Sequence, residues 1–168
     1  KVYLDQKYWQ IDPTNFVRAD SSRINLTNIS LYSEDQYLKL NGSYSDKISD
    51  TLQIGFNKVN ISELDQFLHG TGIDIDGILS GQVKLTNPDK NLAILADLKI
   101  EHLLFNKEPL GDATFDLTYN DLANRFDLQS QITYKGNIGT NIPFALTGSY
   151  YLDPQHPHFN FDLSLKNL

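Results

Sequence analysis

Residues 75–85 read IDGILSGQVKL, and this stretch decides the fold. Ile75, Gly77, Leu79, Gly81, Val83 and Leu85 fall on one set of alternate positions, with Asp76, Ser80, Gln82 and Lys84 on the other. Successive side chains of a β-strand point to opposite faces, so this spacing describes a strand with one apolar and one wet face. The embedded pentapeptide LSGQV (79–83) has two close relatives in the same chain, LNGSY (40–44) and LTGSY (146–150). Each is followed by a polar break and a new alternating run.

The same period of two continues along the chain. Leu38, Leu40, Gly42 and Tyr44 form one run, and Leu52, Ile54 and Phe56 form the next. Leu92, Ile94, Ala96, Leu98 and Ile100 follow, then Phe115, Leu117 and Tyr119, then Phe126, Leu128, Ile132 and Tyr134. The last two are Ile142, Phe144, Leu146 and Tyr150, then Phe159, Phe161, Leu163 and Leu165. The breaks SDKISD, NPDK, YNDLANR and DPQHPH have turn compositions, and such short polar links join antiparallel neighbours. Only NISELDQFLHG (60–70) carries a helical signature. Asn60 stands as an N-cap with Glu63 three residues on, Ile61, Leu64 and Phe67 have helical spacing, and Gly70 is placed to stop the helix. The sequence therefore predicts an all-β, antiparallel fold with one short helix over residues 61–68.

A helix of one or two turns cannot cover so much apolar surface. Burial is worth roughly 25 cal/mol per Å², so the apolar face must meet something. A second sheet packed as a sandwich, closure into a barrel, or a half-open trough around an apolar guest would each satisfy it. The mid-strand glycines bear on the choice. Glycine inside a strand costs about 1 kcal/mol and marks a bend, a bulge or a close approach. Gly42, Gly77, Gly81 and Gly148 fall on the apolar face by register and are expected to crease a curled sheet.

Composition narrows the function. The chain has 168 residues, of which 40% are hydrophobic and 21% charged, which fits one folded fragment rather than a disordered tail. No window holds about 18 uninterrupted apolar residues, so no transmembrane helix is encoded. A net charge of −7 argues against nucleic acid and against anionic headgroups, both of which need clustered Lys and Arg. The absence of Cys removes thiolate chemistry and disulfides. Beginning and ending inside strand-like patterns, the chain is read as a piece of a longer protein.

Residues 50–120 resemble the TamB family of the AsmA-like superfamily. The matching positions are Phe56, Ile61, Leu64, Leu68, Gly77, Gly81, Leu85, Asn87, Pro88, Leu98, Leu110, Gly111 and Asp112. Residues 5–46 are similar to the Bacteroidetes-type variant of that family. The resemblance implies a β-taco, an elongated, curled sheet around an apolar groove, and a single fragment (1–168) of a longer repeat region. It further implies a periplasmic segment of an inner-membrane-anchored protein in a Gram-negative envelope. Its expected work is carrying phospholipid acyl chains to the outer membrane or assisting outer-membrane protein assembly with a barrel partner outside this fragment. The expected lining is Leu38, Leu40, Ile54, Phe56, Leu79, Val83, Leu85, Ile94, Leu98, Ile100, Phe115, Leu117, Phe126, Leu128, Ile132, Phe144, Leu146, Phe161 and Leu163. A plain β-sandwich adhesion or interaction module without a groove is the alternative.

Enzyme chemistry has little purchase. No nucleophile elbow or phosphate loop occurs, so no catalytic residue, metal or cofactor is expected. His69, His102, His156 and His158 lack two-ligand helical spacing, and DIDG at 74–77 opens like a calcium loop but lacks its later ligands. The sequons at Asn25, Asn28, Asn41 and Asn60 read as chance in an Asn-rich chain.

Overall fold

A computed structural model describes residues 2–4, 7–45, 47, 49–64, 74–86, 93–120, 122–136, 139–152 and 156–166. It is built almost wholly of strands: β1 (Val2–Leu4), β2 (Lys7–Ile11), β3 (Phe16–Ala19), β4 (Arg23–Ser33), β5 (Gln36–Ser45) and β6 (Thr51–Asn60), then β7 (Ile75–Thr86), β8 (Ala93–Phe105), β9 (Glu108–Asn120), β10 (Arg125–Gly136), β11 (Gly139–Tyr151) and β12 (His158–Leu165). One twelve-stranded sheet results, in the order β1-β2-β4-β5-β6-β7-β8-β9-β10-β11-β12, with β3 pairing β4 off this path. The order is open, not closed into a barrel. Apart from the 61–74 connection between β6 and β7, the links are too short for crossovers. The β8–β9 hairpin turns on Asn106 and Lys107, both with positive φ (50° and 70°), as a tight two-residue turn demands.

By contacts the strands fall into two compact units. One holds residues 1–59 and 80–95, and the other holds 60–79 and 96–168.

The predicted helix begins as a single 3₁₀ turn, Ile61–Leu64, and residues 65–70 lie outside the described residues. Asn60 caps this turn: its Oδ1 accepts the Ser62 backbone N–H and the Ser62 hydroxyl, both at 3.0 Å. A cap two residues on suits so tight a turn.

Bulges interrupt three of the ladders. The β4–β5 register shifts between Leu26 and Ile29, that of β8–β9 shifts between Ile100 and Leu103, and that of β10–β11 shifts between Ile132 and Tyr134. The intervening β5–β6, β9–β10 and β11–β12 ladders run without a shift. A bulge adds one residue to one strand and increases its bend, so each of these three strand pairs bends locally.

Buried apolar side chains are few. Trp9, Ile61, Leu79 and Ala96 are the buried hydrophobics among the described residues. Trp9 on β2 is buried while its neighbour Tyr8 is exposed, the alternation of a strand with one covered face.

Candidate functional site

In the second unit, register assembles one extended apolar face. Leu117 pairs Ala96 on one side and Leu128 on the other, and Leu128 pairs Gly148, which pairs Phe161. The next row runs Leu98, Phe115, Ser130, Leu146, Leu163. The third runs Ile100, Ala113, Ile132, Phe144, Leu165. A fourth, Tyr119, Phe126, Tyr150, Phe159, closes one end. Of the expected lining residues, Leu98, Ile100, Phe115, Leu117, Phe126, Leu128, Ile132, Phe144, Leu146, Phe161 and Leu163 all share this face. Ala113, Tyr119, Tyr150, Phe159 and Leu165 complete it, as their alternate positions imply.

The face carries no charged side chain in these rows. Its one mid-face hydroxyl is satisfied internally, since Ser130 Oγ donates to the Thr114 carbonyl at 3.0 Å. Among the described residues none of β9, β10, β11 or β12 is buried. These apolar side chains are half-covered at most, unlike the core of a two-layer sandwich.

Polar groups occupy the opposite face. Arg125 Nε lies 2.8 Å from Asp127 Oδ1, and Arg125 Nη1 donates to the Tyr151 hydroxyl at 3.0 Å. Tyr151 stacks on His158, with centroids 4.4 Å apart. The Asp127 carboxyl is held below its ordinary range, first by the Ser149 hydroxyl that donates to it and then by Arg125. A shallow depression of about 150 Å³ beside this cluster is lined by Thr114, Asp116, Gln129, Ser130, Gln131, Ala145 and Thr147. Its lining is uncharged apart from Asp116 and is unsuited to an acyl chain.

The first unit repeats the arrangement. Leu38 pairs Leu31 and Phe56, and Leu40 pairs Ile29 and Ile54. All of these are half-buried, as are Val83, Leu85 and Ile94 on the parts of β7 and β8 belonging to this unit. Leu79, on the stretch of β7 in the second unit, is buried. On the polar face, Arg23 Nη2 donates to Asp50 Oδ1 at 3.0 Å and its Nε lies 3.0 Å from Oδ2, while Ser45 Oγ donates to Oδ2 at 2.7 Å. Asp50 and Ser45 are buried, so this clasp ties the start of β4 to the β5–β6 connection.

Gly42 adopts φ +118°, and a Cβ there would lie 2.0 Å from the Thr51 carbonyl oxygen. The neighbouring backbone occupies the space a side chain needs, and the φ disfavours one in any case. Steric exclusion recurs at Gly77, where a Cβ would lie 2.7 Å from Ile100 Cγ2, and at Gly148, where it would lie 2.2 Å from the Asn160 carbonyl oxygen. Gly81 has φ +134°.

Among the described residues no group of three or more His, Asp or Glu converges on a metal position. His158 Nδ1 lies 2.9 Å from the His156 carbonyl, and His102 is exposed. His69 lies outside the described residues. Asp76 Oδ1 accepts the Gly77 N–H at 2.6 Å, and the Asp74 backbone exchanges hydrogen bonds with Asn106. Among the described residues no helix is long and apolar enough to cross a membrane.

Comparison with models of known families, with curated proteins and with solved structures finds no match.

Proposed function

We propose that the apolar face built by β8 to β12 is a surface for acyl chains, and that the chain is a segment of a TamB-like envelope scaffold that carries phospholipid through the periplasm. The observation that supports this reading is an uncharged face several strands wide in which, among the described residues, none of β9–β12 is buried. Hydrocarbon chains gain burial on such a face without needing directional hydrogen bonds. The mid-face Ser130, bonded back to Thr114, leaves no free donor to penalise an apolar guest. The half-buried apolar rows of the first unit are the same kind of surface, so lining residues act collectively and none is catalytic. Membrane anchoring and a barrel partner belong to parts of the protein outside this chain.

The test is lipid occupancy. Chloroform extraction of the purified chain, followed by mass spectrometry, is expected to recover phospholipid, and a photoactivatable acyl probe is expected to crosslink at Leu117 and Leu128. Leu117→Asp and Leu128→Asp each place a carboxylate on the face. An open surface lets that carboxylate turn to water, so the variants should keep their circular dichroism while losing lipid. A parent without lipid whose Asp variants unfold would instead favour the sandwich module.

A further inference from the structure

The polar face of β9, β10 and β11 carries a depression that an acyl chain does not use. Two successive cross-strand rows build it, Asp116–Gln129–Thr147 and Thr114–Gln131–Ala145. Each of the three strands has a paired neighbour on both sides, so this grid is complete within the chain. By standard strand spacing and rise it measures about 10 Å across the strands and about 7 Å along them. Ala145 contributes only a methyl group beside Gln131 and Thr147, so the face dips there and leaves a volume of about 150 Å³.

The polar side chains of this grid are not used internally. Among the described residues, those of Thr114, Asp116, Gln129, Gln131 and Thr147 make no hydrogen bond or ion pair within the chain. Farther along the same face the polar groups are tied together, Arg125 to Asp127 and Tyr151, and Ser149 to Asp127. One part of the face thus satisfies itself, and the other presents five adjacent hydrogen-bonding side chains outward. Regular strands already fix the spacing of these groups, so a ligand need not pay to order the backbone beneath it.

We infer that this grid is a binding site for one unit of a neutral glycan. Amides and hydroxyls both donate and accept, and a carboxylate with two oxygens takes two adjacent donors, which together match the vicinal hydroxyls of a sugar ring. An anion is disfavoured. Asp97 stands opposite Asp116 and Asp162 opposite Thr147, while the one cation of these rows, Lys99, lies 2.6 Å from Glu101. A metal ion lacks ligands, because among the described residues no three carboxylates or imidazoles converge. An extended peptide pairs with a sheet edge, and this site lies in mid-sheet. A shallow site exchanges a few hydrogen bonds to water for a few to sugar, so Kd is expected on the order of millimolar.

Titration of the full chain with maltotriose, cellotriose and mannotriose, and with trigalacturonate as the anionic counterpart, tests the inference by NMR at the side-chain amides of Gln129 and Gln131. At least one neutral trisaccharide is expected to shift both amides saturably, and trigalacturonate to bind at least about tenfold more weakly. Ala145→Phe fills the depression with a residue that strands accept, and should abolish the shifts with circular dichroism unchanged. Gln129→Ala combined with Gln131→Ala removes two exposed side chains and should weaken binding at least about tenfold, read by saturation transfer to the sugar protons. Neither variant touches the apolar face, so any co-purified lipid should be unchanged and the two readings fail separately. Amides unmoved by every neutral trisaccharide at roughly tens of millimolar would leave only a hydrated face and overturn the inference. So would sugar binding indifferent to both variants, or trigalacturonate bound as tightly as the neutral sugars.

Discussion

The His102 backbone N–H donates to Asp112 Oδ1 at 3.0 Å, across the bulge where β8 and β9 lose register. His102 holds a left-handed φ of 55°, which turns its N–H out of the ladder, and the neighbouring strand supplies a side-chain acceptor in place of a carbonyl. The same device occurs twice more. The Asn28 N–H (φ 51°) donates to Asn41 Oδ1 at 3.3 Å, and the Lys58 N–H (φ 51°) donates to Ser80 Oγ at 3.0 Å. Each acceptor adjoins a glycine of positive φ: Asn41 precedes Gly42, Ser80 precedes Gly81, and Asp112 follows Gly111. Side-chain latch and glycine recur together at all three places, and at Asn28 and His102 a bulge joins them.

If the latch fixes the bulge, Asp112→Ala should cost about 1 kcal/mol in urea denaturation, the ordinary worth of one hydrogen bond. Asp112→Asn keeps an acceptor oxygen and should recover most of that loss. Ser80→Ala should behave like Asp112→Ala. Equal stability of the Ala and Asn variants would remove the latch from the account.

Three glycines separate backbone strain from steric exclusion. Gly55 lacks a left-handed φ, and a Cβ there would sit 3.9 Å from the Tyr37 ring, so Gly55→Ala should change stability by less than about 1 kcal/mol. Gly139 has φ +133° with nothing within 4 Å of a Cβ, so Gly139→Ala should cost about 1 kcal/mol of backbone strain alone. Gly42→Ala meets both penalties and should cost roughly 3 kcal/mol or more. Thermal melts that rank the three otherwise would contradict this assignment.

The Arg23–Asp50 clasp is expected to matter more than surface ion pairs such as Lys58–Asp35. Asp50 is buried and is also the acceptor for Ser45, whereas both members of the Lys58–Asp35 pair are exposed. Asp50→Ala should cost about 2 kcal/mol, a buried-pair loss reduced because Arg23 is partly in water. Asp35→Ala should change stability little, and its small effect should fade with added salt. A double-mutant cycle with Arg23→Ala would isolate the pair, and a coupling near zero would count against the clasp.

Acid should act partly through Asp127. Its carboxyl is lowered in the folded chain by the Ser149 hydroxyl and Arg125, so folding favours the ionised form. The resulting stability is fully present above the ordinary carboxylate pKa of about 4 and is lost as pH falls through the lower folded value. Asp127→Asn should therefore lower the melting temperature at neutral pH and narrow the gap from the parent as pH drops below about 4. A gap that widens on acidification would reverse the assigned sign.

The sequence by itself determined the strand class, the polar links and the apolar alternation of β5 to β12, because strand periodicity and turn chemistry are local properties. It also placed Leu117, Leu128, Phe144 and Leu146 on one side of their strands. Strand β4 escaped the same reading. Ile24 and Leu26 are apolar at even positions and Ile29 and Leu31 at odd ones, since the extra residue at the Asn28 bulge switches the phase. A phase switch erases the period-two signal over a strand of 11 residues. The run in β8 stops at Ile100 for the same reason, one residue before the Glu101–His102 bulge. Only the tertiary structure decided which strand stands beside which, and hence that Asn41, Ser80 and Asp112 would each face a left-handed residue on another strand. Those pairs are separated by 13, 22 and 10 residues, with no common spacing for a sequence pattern to hold. How far the apolar rows are covered was likewise settled by packing, because a side chain's own identity does not say whether a second layer will lie over it.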